Sequence, residues 1–244
     1  MSAAGARVRA LGGAVGLVAA AVVAAVVVPI SVFAVMAIAG AEPTPSLVVG
    51  LSIVLTQGVS FGGVALLYLA LRRGRVRVPL RVPTAQDVQW MIGGSVLALA
   101  AVVVGGLLVT LIGVEPGAHQ VQEIGAADPE IFAMLIPLSF LLIGPGEELL
   151  FRGVIQGRLR QAFGPVSAVS LAAAIFAAIH VVALTGPASA RLAGVAVLFL
   201  PSLVFGLSYE RTHNIAVPAV IHGAYNATLL AASYYAFSLE GAAG

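Results

Sequence analysis

The feature that most constrains the fold of this chain is a succession of apolar segments, each about as long as a lipid bilayer is thick. A helix needs about 20 predominantly apolar residues to cross the hydrocarbon layer, which is roughly 30 Å deep. Seven segments meet this length, at about 10–40, 47–71, 91–113, 131–157, 164–184, 192–209 and 215–237. We therefore predict an all-α fold, a polytopic transmembrane helix bundle of about seven to eight helices, in which the long first segment has room for a break.

Composition supports this prediction and narrows the classes of function. Of the 244 residues, 60% are hydrophobic and 9% are charged, whereas a soluble domain carries roughly a quarter charged residues. The absence of cysteine excludes disulfides, thiolate zinc sites and a cysteine nucleophile. The net charge is +2, and no dense basic run with interleaved aromatic residues occurs. Membrane lipid is therefore an expected partner and nucleic acid is not.

The placement of arginine predicts the orientation in the membrane. Arginines follow alternate segments, so that they fall at one end of the bundle: Arg7, Arg9, Arg72, Arg73, Arg75, Arg77, Arg81, Arg158, Arg160 and Arg211. The positive-inside rule assigns that end to the cytoplasm. The first apolar run is longer than the 7–15-residue core of a signal peptide, so we interpret it as a retained anchor. We predict a multi-pass plasma membrane protein with a cytoplasmic N-terminus. The polar stretch 114–130 is expected to form an extramembrane cap.

Three polar clusters interrupt the apolar segments of the second half of the chain. They are Glu147, Glu148 and Arg152, then His180, then His222 and Asn226. An ionisable group in hydrocarbon costs at least a few kcal/mol, so such groups pair with one another or perform a function. A carboxylate, two imidazoles and an amide are sufficient to activate water and to stabilise an oxyanion.

The two adjacent glutamates are predicted to differ in role. Glu148 and Arg152 are four residues apart, so they share a helical face and can pair. Glu147 is rotated by roughly 100° from Glu148 and has no such local partner, which suits a general base. Pro145, with a glycine on each side, predicts a break or kink just before them. The alternative is a helix end at which both glutamates are solvated.

The histidines lie on helical faces that converge in depth. Phe176 and His180 are four residues apart, as are His222 and Asn226. Counted at 1.5 Å per residue from the predicted cytoplasmic helix ends, Glu147 and the two histidines lie roughly 10–24 Å deep. Asn226 lies roughly 16 Å deep by the same count. These depths allow one cavity inside the hydrocarbon layer.

Three motifs carry a resemblance to a known family. Glu-Glu-x-x-x-Arg at 147–152, Phe-x-x-x-His at 176–180 and His-x-x-x-Asn at 222–226 resemble, in order and spacing, the motifs of the CPBP family. That family includes type II CAAX prenyl endopeptidases, Abi-type proteins, and bacteriocin-processing or immunity proteins. The resemblance implies a CAAX prenyl protease-like domain at 130–232, with 1–113 as accessory N-terminal transmembrane helices.

The resemblance also implies an activity, that of an intramembrane glutamate-dependent endopeptidase without a metal or other cofactor. Glu147 and His180 would activate the water, and His222 and Asn226 would stabilise the oxyanion. Supporting roles fall to Glu148, Arg152 and Phe176. The implied partner is a membrane-anchored protein or peptide substrate, which is a prenylated CAAX protein in the CAAX-processing members of the family.

The residues by themselves also allow three other functions. One is a non-catalytic binding or immunity protein on the same fold. Another is a zinc-dependent membrane protease with Glu147, His180 and His222 as ligands, although the zinc motif His-Glu-x-x-His is absent. The third is a haem held between His180 and His222. Metal content and an absorbance spectrum would separate these readings from a metal-free protease.

Overall fold

The computed structural model describes residues 2–72, 74 and 76–243, without the side chains of residues 240–243. Over these residues the chain forms eight helices and no strand. The helices are α1 (Ala3–Ile38), α2 (Pro45–Leu71), α3 (Ala85–Leu111), α4 (Gln120–Ala127), α5 (Glu130–Leu159), α6 (Pro165–Val182), α7 (Ala188–Thr212) and α8 (Ala216–Ala243). The predicted all-α bundle of seven to eight helices is confirmed.

Six of the described helices are long and apolar enough to cross a membrane, namely α1, α2, α3, α5, α6 and α7. The chain is therefore an integral membrane protein. The seventh predicted segment, 215–237, lies almost entirely within α8. The first segment forms one continuous helix of 36 residues despite Pro29 in its interior, so the break that its length allowed does not occur.

Two apolar clusters hold the bundle together. One gathers α1, α2, α5 and α6 around buried side chains that include Phe61, Phe151 and Phe176. The other joins α3, α7 and α8 around Phe205 and Ile221. Outward-facing valine, leucine and isoleucine side chains remain exposed along the long helices, as lipid-facing surfaces require. Helix α5 lies at the centre of this arrangement and contacts most of the other helices.

Arginine side chains join several helix ends at one end of the bundle. Arg158 donates to the Tyr68 hydroxyl and to the backbone carbonyl of Arg9, which connects α5 to α1 and α2. Arg160 pairs with Glu210 near the end of α7. Arg9, Arg158 and Arg160 thus come together at this end, and the assignment of this end to the cytoplasm stays a prediction. Two arginines of the loop after α2, Arg73 and Arg75, lie outside the described residues.

Helix α5 runs through the Gly144-Pro145-Gly146 sequence without ending. Its winding widens to π-helical over Ser139–Ile143 before the proline and over Leu149–Gln156 after it. A proline lacks the N–H of a regular turn and its ring conflicts with the preceding turn, and wider winding accommodates both. The predicted break does not occur, and π-helical winding flanks Pro145 instead.

The glycines beside Pro145 serve close packing. A Cβ atom at Gly144 would lie 2.6 Å from the carbonyl oxygen of Ala219 in α8. A Cβ atom at Gly146 would collide with the carbonyl of Gln57 in α2. The absence of side chains thus lets α5 approach both neighbours at the level of the two glutamates.

The predicted cap at 114–130 contains α4 and a segment, residues 116–122, that we call the strap. The backbone N–H of Gly117 donates to the Ala190 carbonyl over 2.8 Å, and that of Gln120 donates to the Ala183 carbonyl over 2.9 Å. In return the N–H of Thr185 donates to the Ala118 carbonyl over 2.8 Å. These bonds tie the strap to the connection between α6 and α7, which follows His180, and to the first turn of α7.

Candidate active site

A cavity of about 680 Å³ lies inside the bundle. All four residues predicted to be catalytic line it: Glu147 from α5, His180 from α6, and His222 and Asn226 from α8. The three polar clusters, which are far apart in the sequence, therefore meet at one place. Their individual catalytic roles stay predictions.

Glu147 is the carboxylate without a partner. Its side chain is nearly inaccessible, with a residue exposure of 3%. Its Oε2 atom has no hydrogen-bond partner among the described residues. The Nε2 atom of His222 is 3.8 Å away from this oxygen, which is too long for a hydrogen bond. The carboxylate is thus held in the cavity wall with lone pairs that no protein donor uses.

Glu148, in contrast, is fully paired on one oxygen. Its Oε1 atom accepts from Arg152 Nη1 over 3.1 Å and from His222 Nδ1 over 2.8 Å. The pairing with Arg152 confirms the prediction from their spacing of four residues. The bond to His222 was not predicted, because it joins residues 74 positions apart and no local pattern encodes it. Glu148 therefore fixes α8 to α5 at the cavity.

Arg152 is buried completely and is compensated from several sides. Its Nη2 atom donates to the backbone carbonyl of Ser202 over 2.9 Å and to its hydroxyl over 2.7 Å. The guanidinium carbon lies 4.7 Å from the ring centre of Phe176 and 5.3 Å from that of Phe205. Such cation–π contacts and hydrogen bonds offset the desolvation of a buried charge. We call Glu148, Arg152, Ser202, Phe176 and Phe205 the anchor cluster.

The anchor cluster orients His222. The ring of His222 stacks on Phe205 with centroids 4.7 Å apart and planes at 17°. Its edge contacts Phe176 at a centroid distance of 5.7 Å. Since the Glu148 carboxylate can only accept, Nδ1 of His222 carries a proton and donates it. The other nitrogen, Nε2, is therefore the one presented to Glu147 and to the cavity.

His180 is oriented by its own helix. Its Nδ1 atom lies 2.8 Å from the backbone carbonyl of Phe176, one turn earlier. A carbonyl only accepts, so Nδ1 carries a proton, and in the tautomer that this bond selects the lone pair is on Nε2. The rings of Phe176 and His180 are 4.5 Å apart, as their shared helical face predicted. His180 thus offers an acceptor to the cavity that it lines.

Asn226 lies one helical turn after His222 and is half-buried at the cavity wall. Its side chain makes no hydrogen bond with any described residue. Its amide can therefore donate two hydrogen bonds to a molecule in the cavity. The sequence placed His222 and Asn226 on one face of a helix, and both line the same cavity.

Several cavity-lining polar residues were missed by the sequence reasoning, among them Gln57, His119 and Gln122. Gln57 comes from α2, and its Oε1 atom is buried without a hydrogen-bond partner among the described residues. His119 and Gln122 come from the strap. Gln57 and Gln122 carry no recognisable motif, and the position of His119 before a short helix indicates a cap rather than a site. Their convergence depends on the packing of the helices.

The cavity side chains do not form a recognised metal-binding group among the described residues. Within the described part of the chain, no group of three or more histidine, aspartate or glutamate side chains is arranged to hold one. Both Nδ1 atoms of His180 and His222 are engaged in hydrogen bonds inside the protein. The prediction that the chain works without a metal or other cofactor stays a prediction.

Comparison with known proteins finds a family for the part of the chain that contributes Glu147, His180, His222 and Asn226 to the cavity. The family described as type II CAAX prenyl endopeptidase, Rce1-like, matches residues 129–228. No curated protein and no solved structure matches the chain. The matched region includes all three motifs and the four predicted catalytic residues. The family is one of membrane proteases, which implies a protein or peptide substrate. Residues 129–228 of this membrane protein are thus an Rce1-like type II CAAX prenyl endopeptidase domain of the CPBP family.

Proposed function

We propose that this chain is an intramembrane glutamate-dependent endopeptidase, which hydrolyses a peptide bond of a membrane-anchored protein or peptide. Prenylated CAAX-type proteins are the substrate class that the family match favours. The observation that carries the proposal is Glu147. It is a buried carboxylate in a cavity wall, with a carboxylate oxygen that no described donor uses. Such a group costs stability unless a bound molecule or a reaction uses it.

Glu147 and His180 act on the water molecule. Glu147 accepts one proton from the water, and Nε2 of His180 accepts a hydrogen bond from its second hydrogen, which orients it. The water oxygen then attacks the carbonyl carbon of the substrate and forms a tetrahedral intermediate. When this collapses, the C–N bond breaks and Glu147 returns its proton to the leaving amine nitrogen. General base catalysis of this kind contributes roughly 10²–10⁴ to the rate.

Asn226 and His222 stabilise the oxyanion of the tetrahedral intermediate. Asn226 donates from its amide, which is free of other partners. His222 donates from Nε2, and this requires a ring protonated on both nitrogens because Nδ1–H is already committed to Glu148. The carboxylate of Glu148 then balances the charge of that ring. Two donors one helical turn apart can reach one oxygen.

The substrate enters from the membrane. The cavity has both apolar lining residues and the polar groups described above, and it opens within a bundle whose outer surface is apolar. A peptide tethered to lipid is concentrated at such a site without leaving the bilayer. We propose further that 130–232 forms the catalytic unit and 1–113 an accessory unit. The N-terminus and the arginine-rich end of the bundle face the cytoplasm of a cell with this protein in its plasma membrane.

The direct test uses purified protein in liposomes and an internally quenched peptide ending in a farnesylated CAAX sequence. We expect fluorescence to rise with wild-type protein and not with Glu147→Gln. The matched control is Glu42→Gln, which alters an exposed glutamate that is not part of the cavity lining and should cleave normally. The same peptide with an S-hexadecyl chain separates recognition of a prenyl group from recognition of any lipid anchor.

Membrane proteomics extends the test to natural substrates. Cells carrying wild type are compared with cells carrying Glu147→Ala, and new C-terminal fragments that require Glu147 identify the substrates. A farnesylated peptide cleaved equally by wild type and Glu147→Gln would contradict the proposal. Binding of the peptide without cleavage by wild type would instead support the non-catalytic reading. Loss of activity with a chelator, restored by zinc, would support the zinc-protease reading.

A further inference from the structure

The strap brings a third histidine to the cavity. The chain contains four histidines, and three of them, His119, His180 and His222, line this one cavity. His119 lies before residue 129, so it is outside the region matched by the family. It also stands outside the mechanism proposed above. His119 belongs to the extramembrane cap and yet lines the cavity, so its role there needs a separate explanation.

The hydrogen bonding of His119 determines what its ring can offer. The backbone N–H of Val121 donates to Nδ1 of His119 over 3.2 Å. In a neutral imidazole one nitrogen accepts and the other carries the proton, so Nε2 of His119 is the N–H donor. His180 has the opposite arrangement, with its proton on Nδ1 and its lone pair on Nε2. The two rings therefore offer one donor and one acceptor to the same cavity.

The surroundings of His119 keep its ring neutral. Burial lowers the pKa of His119, and the neighbouring His180 lowers it further, while Glu147 acts in the opposite direction. These electrostatic effects also indicate that His119 lies near both residues that are proposed to handle the water. A neutral ring is required for the Val121 bond, because a doubly protonated imidazole has no acceptor.

The position of His119 is fixed by the strap. Backbone bonds join residues on both sides of His119 to Ala183, Thr185 and Ala190. A Cβ atom at Gly117 would collide with the Thr185 carbonyl, so this close approach requires glycine. The ring is thus held against the segment that follows His180, and its donor does not need to be ordered when a peptide binds.

We propose that His119 is a substrate-binding residue, which donates a hydrogen bond from Nε2 to a backbone carbonyl of the bound peptide. A peptide backbone carries both acceptors and donors, and His119 supplies the donor that its carbonyl needs. The inference rests on the proposed protease function, since it names a contact of the same site. The structural alternative is that His119 only caps α4 through Nδ1.

Two substitutions separate substrate binding from helix capping. Each of them keeps the function of one ring nitrogen of His119 and removes that of the other. His119→Asn keeps a short acceptor that caps a helix well, and it removes the donor that Nε2 provided. His119→Gln keeps an N–H donor at about the position of Nε2, and it weakens the cap. The readouts are the KM and kcat for the farnesylated quenched peptide, the Kd for that peptide in a Glu147→Gln background, and the melting temperature.

We expect His119→Asn to raise KM and Kd about 2–10-fold, the loss of one hydrogen bond, with the melting temperature unchanged. His119→Gln should keep KM and Kd near the wild-type values and melt at a lower temperature. The opposite pattern, with normal KM for His119→Asn and a raised KM for His119→Gln, would overturn the proposal. His213→Asn is the control, because His213 is exposed at the end of α7 with φ of 48°, which asparagine tolerates.

A measurement without substrate keeps this proposal separate from the proposed function. In protein labelled with ¹⁵N-histidine, the signals missing from His119→Asn identify His119, and two-bond ¹H–¹⁵N correlations report its tautomer. The expected form is neutral with the proton on Nε2. A proton on Nδ1, or a doubly protonated ring at neutral pH, would overturn the proposal. If wild type neither binds nor cleaves the farnesylated peptide, the proposed function fails for prenylated substrates, and the same Kd comparison of His119→Asn with His119→Gln is then made with the S-hexadecyl peptide.

Discussion

The anchor cluster and the cavity wall each contain one buried glutamate, but only the glutamate of the anchor cluster accepts hydrogen bonds from described side chains. In the anchor cluster, Glu148 pairs with Arg152 through Oε1, and the guanidinium of Arg152 packs against two aromatic rings, while Glu148 Oε2 and Arg152 Nε have no described partner. In the cavity wall, Glu147 and Asn226 keep polar atoms that no described side chain uses. Adjacent residues, Glu147 and Glu148, fall on the two sides of this division because one step along a helix turns a side chain by about 100°.

This difference shows how the anchor cluster holds the cavity side chains in position. A buried ion pair adds little net stability, but breaking it leaves an uncompensated charge, so the pair fixes the arrangement of the helices that contribute to it. His222 belongs to both regions, since Nδ1 is bound to Glu148 and Nε2 faces Glu147. The anchor cluster thus orients a ring for the cavity. The predictions below test this division, from the largest expected effect to the smallest.

Glu147→Gln should reduce turnover by about 10²–10⁴-fold, because an amide cannot accept the proton of the water. Its folding should be close to that of wild type, since no described donor depends on the Glu147 carboxylate. Turnover per folded molecule and melting temperature in detergent check this together. Normal cleavage by Glu147→Gln would remove Glu147 from the mechanism.

Arg152→Met should lower the free energy of unfolding by about 3–5 kcal/mol, because the buried charge of Glu148 loses its arginine partner and keeps only the hydrogen bond from His222. The double variant Glu148→Gln/Arg152→Met should recover much of that loss. Reversible denaturant titration in mixed micelles measures both. A single variant as stable as wild type would show that the anchor cluster does not depend on this ion pair.

Asn226→Ala should lower turnover by about 10²–10³-fold with little change in the Kd of the substrate, as expected for the loss of one oxyanion donor. His222→Ala should lose a similar amount of turnover and also some stability, because Glu148 loses a donor. The double variant should be much less than multiplicative. An Asn226→Ala protein that melts lower yet remains fully active per folded molecule would assign Asn226 to packing alone.

Ser202→Ala should have the smallest effect, a loss of about 1.5–3 kcal/mol at most, the value of a hydrogen bond to a charged group. The backbone carbonyl of Ser202 still accepts from Arg152, which limits the cost. Ser167→Ala, an exposed position on α6, is the matched control. Melting temperatures compare the two variants, and equal values would mean that the hydroxyl contributes nothing to the anchor cluster.

The sequence contained the parts of the site that local spacing encodes. The ion pair of Glu148 with Arg152 and the contact of Phe176 with His180 follow from a separation of four residues on a helix. The absence of a local partner for Glu147 follows from the same period. The bilayer adds a second strong rule, because every spanning segment must be long and apolar. That rule predicted the helices well enough to place the polar clusters on them.

The tertiary structure decided what no local rule can express. Glu148 meets His222 across 74 residues, and Arg152 meets Ser202 across 50. His119 reaches the cavity through a strap that the sequence presented only as a polar cap. Around Pro145 the helix continued by changing its winding, since the packed neighbours α2 and α8 hold it there. Helical periodicity governs contacts one turn apart, whereas contacts between helices depend on how all of their faces pack at once.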